Sequence, residues 1–489
     1  MVSLTFYGGV NEIGGNKVLV ESGDGNVLLD FGRRMGVTGQ YYSEFLQLRS
    51  NNALRDFLRL GVVPRLDGVY YEPYLKTSSM LVCPVFMLNF PYHEAPDYWD
   101  NPDITPCNPE KPRVDGVFIS HAHFDHIQDV SFLDPVIPIY CTEETKVLAN
   151  VICDISTMHI DDQFFELRKD QEIKPVIPDS RSDYRVLFPG ELDYYDKPEY
   201  EKKIVIDDKT GFSFTRDYEP KKRCFKTELY GKVNEISYKL IPVDHSIPGA
   251  CSVLMKFTDG TRILYTGDYR FKSRDAPTID EYVSSVGEHI DVLITEGTRI
   301  DNETVLEEEK ILKEIKEDIK GKDGLVLVNF NWKDLTRYNL LLQVAQELDR
   351  VLVITNKLAY LLYEMHLYDP QKYQDPRKTK NLKVYVKREG SLLYQKRDYD
   401  KYRMGYLHNH GRNSALDDCN LVRIAERLGK GGRENNVKNP LPLTDEQEPY
   451  SYKEIMELAT HHIENGVRAY QIRENPEKLS LIHISEPTR

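Results

Sequence analysis

An α/β architecture is predicted by three features of the sequence. Apolar, β-branched runs over 114–119, 236–243, 251–257 and 262–265 read as strands. Strand and helix patterns alternate over 325–386, the β-α-β order that builds parallel sheets. Polar residues able to bind metal recur where strands end: Asp30, His121, His123, Asp125, His126, His245, Asp268 and Glu296 each follow a predicted strand. Loops at one sheet edge are where side chains far apart in sequence converge.

Taken in order, residues 3–7, 17–21 and 26–30 form three short strands, separated by Gly8-Gly9, Gly14-Gly15 and Gly23-Asp24-Gly25. The Gly8–Gly15 spacing does not fit a dinucleotide or phosphate-binding loop, so these glycines read as turn residues. Asp30 closes the third strand, where its carboxylate is placed to orient a metal ligand. Residues 36–112 are an irregular insertion with a helix expected over 45–60. Its many tyrosines suit packing against the core, and stacking on bases is their alternative use.

The strand over 114–119 leads into Ser120-His121-Ala122-His123-Phe124-Asp125-His126. Three imidazoles and a carboxylate in six residues form a ligand set for zinc or a similar divalent ion. A turn needed only for structure does not require this density of ligands. A strand over 137–141 and a helix over 142–152, capped by Thr142, come next. Residues 154–232 read as a second irregular insertion, in which Lys221-Lys222-Arg223 is a solvated basic loop. Strands then resume over 236–243, 251–257, 262–265 and 291–295, with the middle pair forming a hairpin turned at Asp259-Gly260. A charged helix over 302–320 ends this unit. Beyond it, strands over 325–330, 351–354 and 382–386 alternate with helices over 333–348 and 357–367. Residues 388–442 are polar with helical pattern over 421–428, and 452–464 read as a helix.

The 489 residues suffice for two or three domains. A net charge of −14 argues against general electrostatic attraction to nucleic acid, although metals bound at carboxylates would reverse the sign locally. Seven scattered cysteines with no Cys-x-x-Cys pair suit free thiols in a reducing cytoplasm. No apolar run is long enough to span a membrane, and no signal peptide is read at the N-terminus.

His121-Ala122-His123-Phe124-Asp125-His126 resembles the His-x-His-x-Asp-His motif of the metallo-β-lactamase superfamily. Asp30, His245 and Asp268 stand where that fold places its other motifs. The glycine-rich opening 8–16, Thr295-Glu296-Gly297-Thr298 and the following β-α-β segment look like the β-CASP branch of nucleic-acid-processing nucleases, and most like the ribonuclease J group. The resemblance covers roughly residues 3–355 apart from the two insertions. It implies an αββα sandwich over 1–320 with insertions at 36–112 and 154–232, followed by an incomplete β-CASP domain over 321–478. It also implies two Zn2+ ions, with Mn2+ as the alternative. His121, His123 and His245 would hold one, Asp125 and His126 the other, and Asp268 would bridge them. The implied reaction is hydrolysis of RNA in the cytoplasm by water activated between the two metals, in a protein able to form a homo-oligomer. Asp30 would support the histidine loop, and Glu296 would orient a histidine assisting the leaving group.

That histidine, in a Ser-Gly-His-like motif, is not found; His408, His410, His461 and His462 stand in unrelated settings. Residues 479–489 read as the translation of a sequencing adapter and are set outside the fold, which leads to the expectation of a truncated fragment, its own activity left open by the sequence. Two other readings share the metal loop: a hydrolase of a small ester, thioester or lactam, and a non-catalytic RNA-binding relative.

Overall fold

Alternating apolar residues build two sheets around a shared core. The structure, a computed structural model, describes residues 1–42, 53–75, 103–155, 163–167, 173–176, 203–207, 212–216, 221–270, 277–287, 289–298, 308–322, 324–376, 378–385, 466–467 and 481–484. The first sheet contains β1 (Ser3–Gly8), β2 (Lys17–Ser22), β3 (Gly25–Leu29), β4 (Gly116–Phe118), β5 (Ile139–Tyr140) and β6 (Phe225–Lys226), in that spatial order. β1 to β3 pair antiparallel, and β3 to β6 pair parallel. The second sheet is β7 (Tyr230–Val233), β8 (Ile236–Pro242), β9 (Cys251–Lys256), β10 (Arg262–Tyr265) and β11 (Val292–Ile294), antiparallel except for the last pair.

The two-residue period of a strand decides what each side chain meets. Val18, Val20, Val27 and Leu29 join Leu240, Val253 and Met255 of the second sheet in one buried cluster. Leu19 and Leu28 point the other way, into a cluster shared with Leu148 and Val151 of α1 (Glu143–Ile155). Thr142 caps α1 as expected, its hydroxyl accepting from the Thr145 amide. The hairpin also turns as expected: Gly260, at φ 93°, donates to the Phe257 carbonyl between β9 and β10.

Several expectations need correction. The strand over 137–141 shortens to Ile139–Tyr140, because Pro138 has no amide to give a ladder. The insertion 154–232 is not irregular throughout: Ile173–Val176, Lys203–Asp207 and Phe212–Arg216 form a three-stranded antiparallel sheet. Arg223 is not solvated but buried, donating to the carbonyls of Ser131 and Leu133 at 2.8 and 2.9 Å. The helix expected over 45–60 is seen as Ala53–Leu60, and the rest of it lies outside the described residues. The expected helices at 421–428 and 452–464, and His408, His410, His461 and His462, lie outside them too.

After α2 (Ile279–Val286) and α3 (Glu308–Ile319), a third sheet begins. Its strands β12 (Val326–Asn329), β13 (Leu352–Ile354), β14 (Leu382–Tyr385) and β15 (Gly466–Val467) are joined by β16 (Leu481–Ile484). All pair parallel, in the order β12-β16-β13-β14-β15. β16 lies in the stretch set outside the fold by the sequence reading. Leu-Ile-His-Ile is an apolar, β-branched segment, which suits the space between two parallel strands. Helices α4 (Leu335–Glu347) and α5 (Asn356–Tyr368) complete this unit. It meets the first at α1: Glu144 accepts from Lys372 and from the Tyr373 hydroxyl, both just beyond α5. Among the described residues no helix is long and apolar enough to cross a membrane.

Candidate metal centre

β4 delivers the histidine loop, and the segment after β3 braces it. The Asp30 amide donates to the Phe118 carbonyl, that of Phe31 to His126 and that of Arg33 to Phe124, all at 2.8–2.9 Å. Gly32 lies so close that an added Cβ would fall 1.7 Å from the Asp125 carbonyl oxygen. The glycine-rich opening reaches the same carbonyl from the other side, through the amides of Gly15 and Asn16 at 3.0 and 3.1 Å. Gly14, at φ 72°, faces the Asp125 side chain with no room for a Cβ. The opening is therefore more than a set of turns: it clamps the loop that carries the ligands.

Two groups of side chains converge there. His123 Nδ1 lies 3.0 Å from His121 Nε2 and 3.2 Å from His245 Nε2. Around a tetrahedral ion with Zn–N bonds of about 2.0–2.1 Å, ligand nitrogens sit roughly 3.3 Å apart. The second group is His121, His126 and Asp268. Asp268 Oδ1 stands 3.5 Å from His126 Nε2, while its Oδ2 stands 4.0 and 3.9 Å from the Nε2 atoms of His121 and His245. Asp125 Oδ2 lies 3.7 Å from His126 Nε2. The six expected ligands thus come together at one end of the two sheets.

Electrostatics suit a cation. Burial pushes His121 well below its usual pKa, takes His123 down to about 2 and His245 to about 4, so all three are neutral with lone pairs to share. For His126, burial lowers the pKa, but the charge of Asp30 and the hydrogen bonds the ring donates to Asp268 and Asp30 outweigh it and raise the value well above normal. A carboxylate field that favours a proton on this ring favours a metal ion there for the same reason. Burial would raise the Asp268 pKa, yet the hydrogen bond and charge of His126 hold it down. The donor set therefore fits a divalent metal.

Asp30 orients the site from behind. It is fully buried, in the left-handed region at φ 52°. It accepts from the Ser120 amide at 2.7 Å, the Ser120 hydroxyl at 2.8 Å and the Tyr265 hydroxyl at 2.5 Å. His126 Nδ1 lies 2.7 Å from its Oδ2, leaving Nε2 facing Asp268. A carboxylate behind a ligating histidine fixes the tautomer and raises ligand basicity. Ser120, Tyr265 and Asn16, whose amide donates to the Tyr265 hydroxyl at 3.2 Å, were not singled out by sequence reasoning. Only their contact with Asp30 and its neighbours marks them.

Glu296 stands apart. Its Oε1 accepts from the Tyr269 amide at 2.9 Å, next to Asp268, and among the described residues no histidine contacts it. Lys333, also missed in the sequence, is buried beside the loop, with Nζ 4.4 Å from the Phe124 ring centre.

A family model described as a β-lactamase superfamily domain matches residues 96–181, which include the histidine loop. The likeness to that superfamily is confined to this stretch, which carries His121, His123, Asp125 and His126. No curated protein matches the sequence. Among solved structures, the chain is similar to a protein of unknown function from Enterococcus faecalis V583, at 18% identity and a TM-score of 0.47, over 99% of this chain and 88% of that one. It is also similar to two structures of a Cronobacter sakazakii metallo-β-lactamase with the HARLDQ motif. Both are 10% identical, with TM-scores of 0.24 and 0.23, over 71% and 69% of this chain and 90% and 87% of theirs.

Proposed function

We propose that this chain carries the catalytic centre of a metal-dependent phosphodiesterase that acts on RNA, of the β-CASP type and nearest to the ribonuclease J group. The observation that carries the reading is the placement of Asp268, with one oxygen toward His126 and the other toward His121 and His245. A carboxylate so placed serves two adjacent cation sites, the first formed by His121, His123 and His245 and the second by His126, Asp125 and Asp268. Zn2+ is the first choice for these ligands and Mn2+ the second. When bound, such a pair lowers the pKa of water and neutralises charge on a phosphate oxygen.

The chain's own residues hold the geometry. Asp30 keeps the His126 ring in the orientation that presents Nε2. The backbone amides of Gly15 and Asn16 fix the turn that carries Asp125. Burial keeps His121, His123 and His245 unprotonated. Glu296 holds the backbone just after Asp268, a positioning role. The turn after β12 sets the Lys333 ammonium over Phe124 of the metal loop, a cation that suits an anionic substrate such as a phosphodiester.

The test is an assay of the purified chain on single-stranded RNA, single-stranded DNA and a small thioester, with and without a chelator. Chelator-sensitive cleavage of RNA supports the proposal. Hydrolysis of the thioester with both nucleic acids left intact overturns it and favours a small-molecule hydrolase.

A further inference from the structure

The turn between β12 and α4 brings an unusual group to the metal loop. Asn331-Trp332-Lys333-Asp334 enters α4 with Asp334 as its cap, its Oδ1 accepting from the Arg337 amide at 2.8 Å. Arg270 ties that helix to the ligand loop: its Nη2 donates to the His245 carbonyl and to the Thr336 hydroxyl, both at 2.9 Å. Lys333 is thereby held over Phe124, the residue between His123 and Asp125. It is 6% exposed, and among the described residues no carboxylate lies within ion-pair distance of Nζ.

Holding the ammonium of a largely buried side chain with no ion-pair partner among the described residues is costly, and an apolar side chain of the same length would cover Phe124 at lower cost. The contact with the ring recovers only part of the loss. The position of Lys333 makes sense if an anion arrives between it and the His/Asp cluster. We infer that Lys333 is a substrate-binding residue that receives a phosphate oxygen at the metal centre. This assignment deepens the phosphodiesterase reading and rests on it for the identity of the anion. It means that the second unit completes the site instead of merely flanking it.

The experiment compares binding of adenosine 5′-monophosphate and adenosine to the full chain, by calorimetry in the presence of chelator, for the wild type, Lys333→Met and Lys333→Arg. The wild type is expected to prefer the monophosphate. Lys333→Met should lose about tenfold in affinity for it, Lys333→Arg should keep most of it, and adenosine binding should be equal in all three. Thermal unfolding supplies the second readout: Lys333→Met should unfold at a higher temperature, because an unpaired buried charge has gone. Unchanged monophosphate affinity in Lys333→Met, or a lower unfolding temperature, overturns the assignment. RNA cleavage is scored separately. Loss of the monophosphate preference in Lys333→Met, in a chain that cleaves no RNA, would retain Lys333 as an anion-binding residue and remove the nuclease reading.

Discussion

Asp30, one residue after β3, and Glu296, two residues after β11, are both carboxylates at strand ends, yet they are engaged to very different degrees. Asp30 is fully buried, with the Ser120 amide and hydroxyl, the Tyr265 hydroxyl and His126 on its two oxygens. Glu296 is half-buried and accepts one amide, that of Tyr269. The first is part of a network in which each group fixes the next, so its loss would leave several buried polar atoms unsatisfied. The second can be replaced by any acceptor of similar length. Position at a strand end is therefore necessary for a role in the site but does not measure its size. Burial and the number of partners do.

Substitutions order themselves along that scale. The largest effect is expected for the ligands: His123→Ala or Asp125→Ala should lower RNA hydrolysis by about a thousandfold or more, with the circular dichroism of the fold retained. Asp30→Ala should follow, with metal affinity down about 10–100-fold and stability down by roughly 3–5 kcal/mol, read by metal titration and urea unfolding. If Asp30→Ala binds metal and unfolds like the wild type, the contrast with Glu296 collapses.

Acid should act on the same centre. His123 and His245 have folded pKa values of about 2 and 4, below the unfolded value near 6.5, so the unfolded chain binds more protons in that interval. Stability is fully present above pH ~6.5 and falls as pH drops toward the folded values. His126 has a raised pKa and acts oppositely, but its contribution is complete below pH ~6.5 and adds no slope there. Urea midpoints measured in chelator should therefore fall between pH ~6.5 and ~4, and metal affinity should fall with them as protons compete for the ring nitrogens. The smallest effect belongs to Glu296→Gln, which keeps the acceptor for Tyr269. Metal content should be unchanged and stability altered by less than about 0.5 kcal/mol.

Much of the site was readable because its ligands are chemically conspicuous. Three imidazoles and a carboxylate packed after one strand are rarely anything else, and His245, Asp268 and Asp30 could be added from their places after other strands. The gaps have physical causes. Asn16, Ser120 and Tyr265 are common polar residues: the last two matter through contact with Asp30 and Asn16 through its bond to Tyr265, from positions more than a hundred residues apart in part of the network. Lys333 looked like any lysine near a helix start, since burial is a tertiary property. Arg223 was read as solvent-exposed for the same reason, although it is buried against the carbonyls of Ser131 and Leu133. The glycines over 8–15 were read correctly as turn-formers, but the carbonyl they clamp lies on a loop that sequence order does not place beside them. In the third sheet, the strand order could not be read because parallel pairing joins segments with no local turn to announce it.

The central claim is a cluster in which His121 stands in both groups of ligands. It is tested most directly by counting metal ions on the full chain by native mass spectrometry after loading with zinc, for the wild type and for His121→Ala. Two ions on the wild-type chain and at most one on His121→Ala is the expected result. A wild-type chain that takes up no zinc, or a His121→Ala chain that keeps both ions, would contradict it.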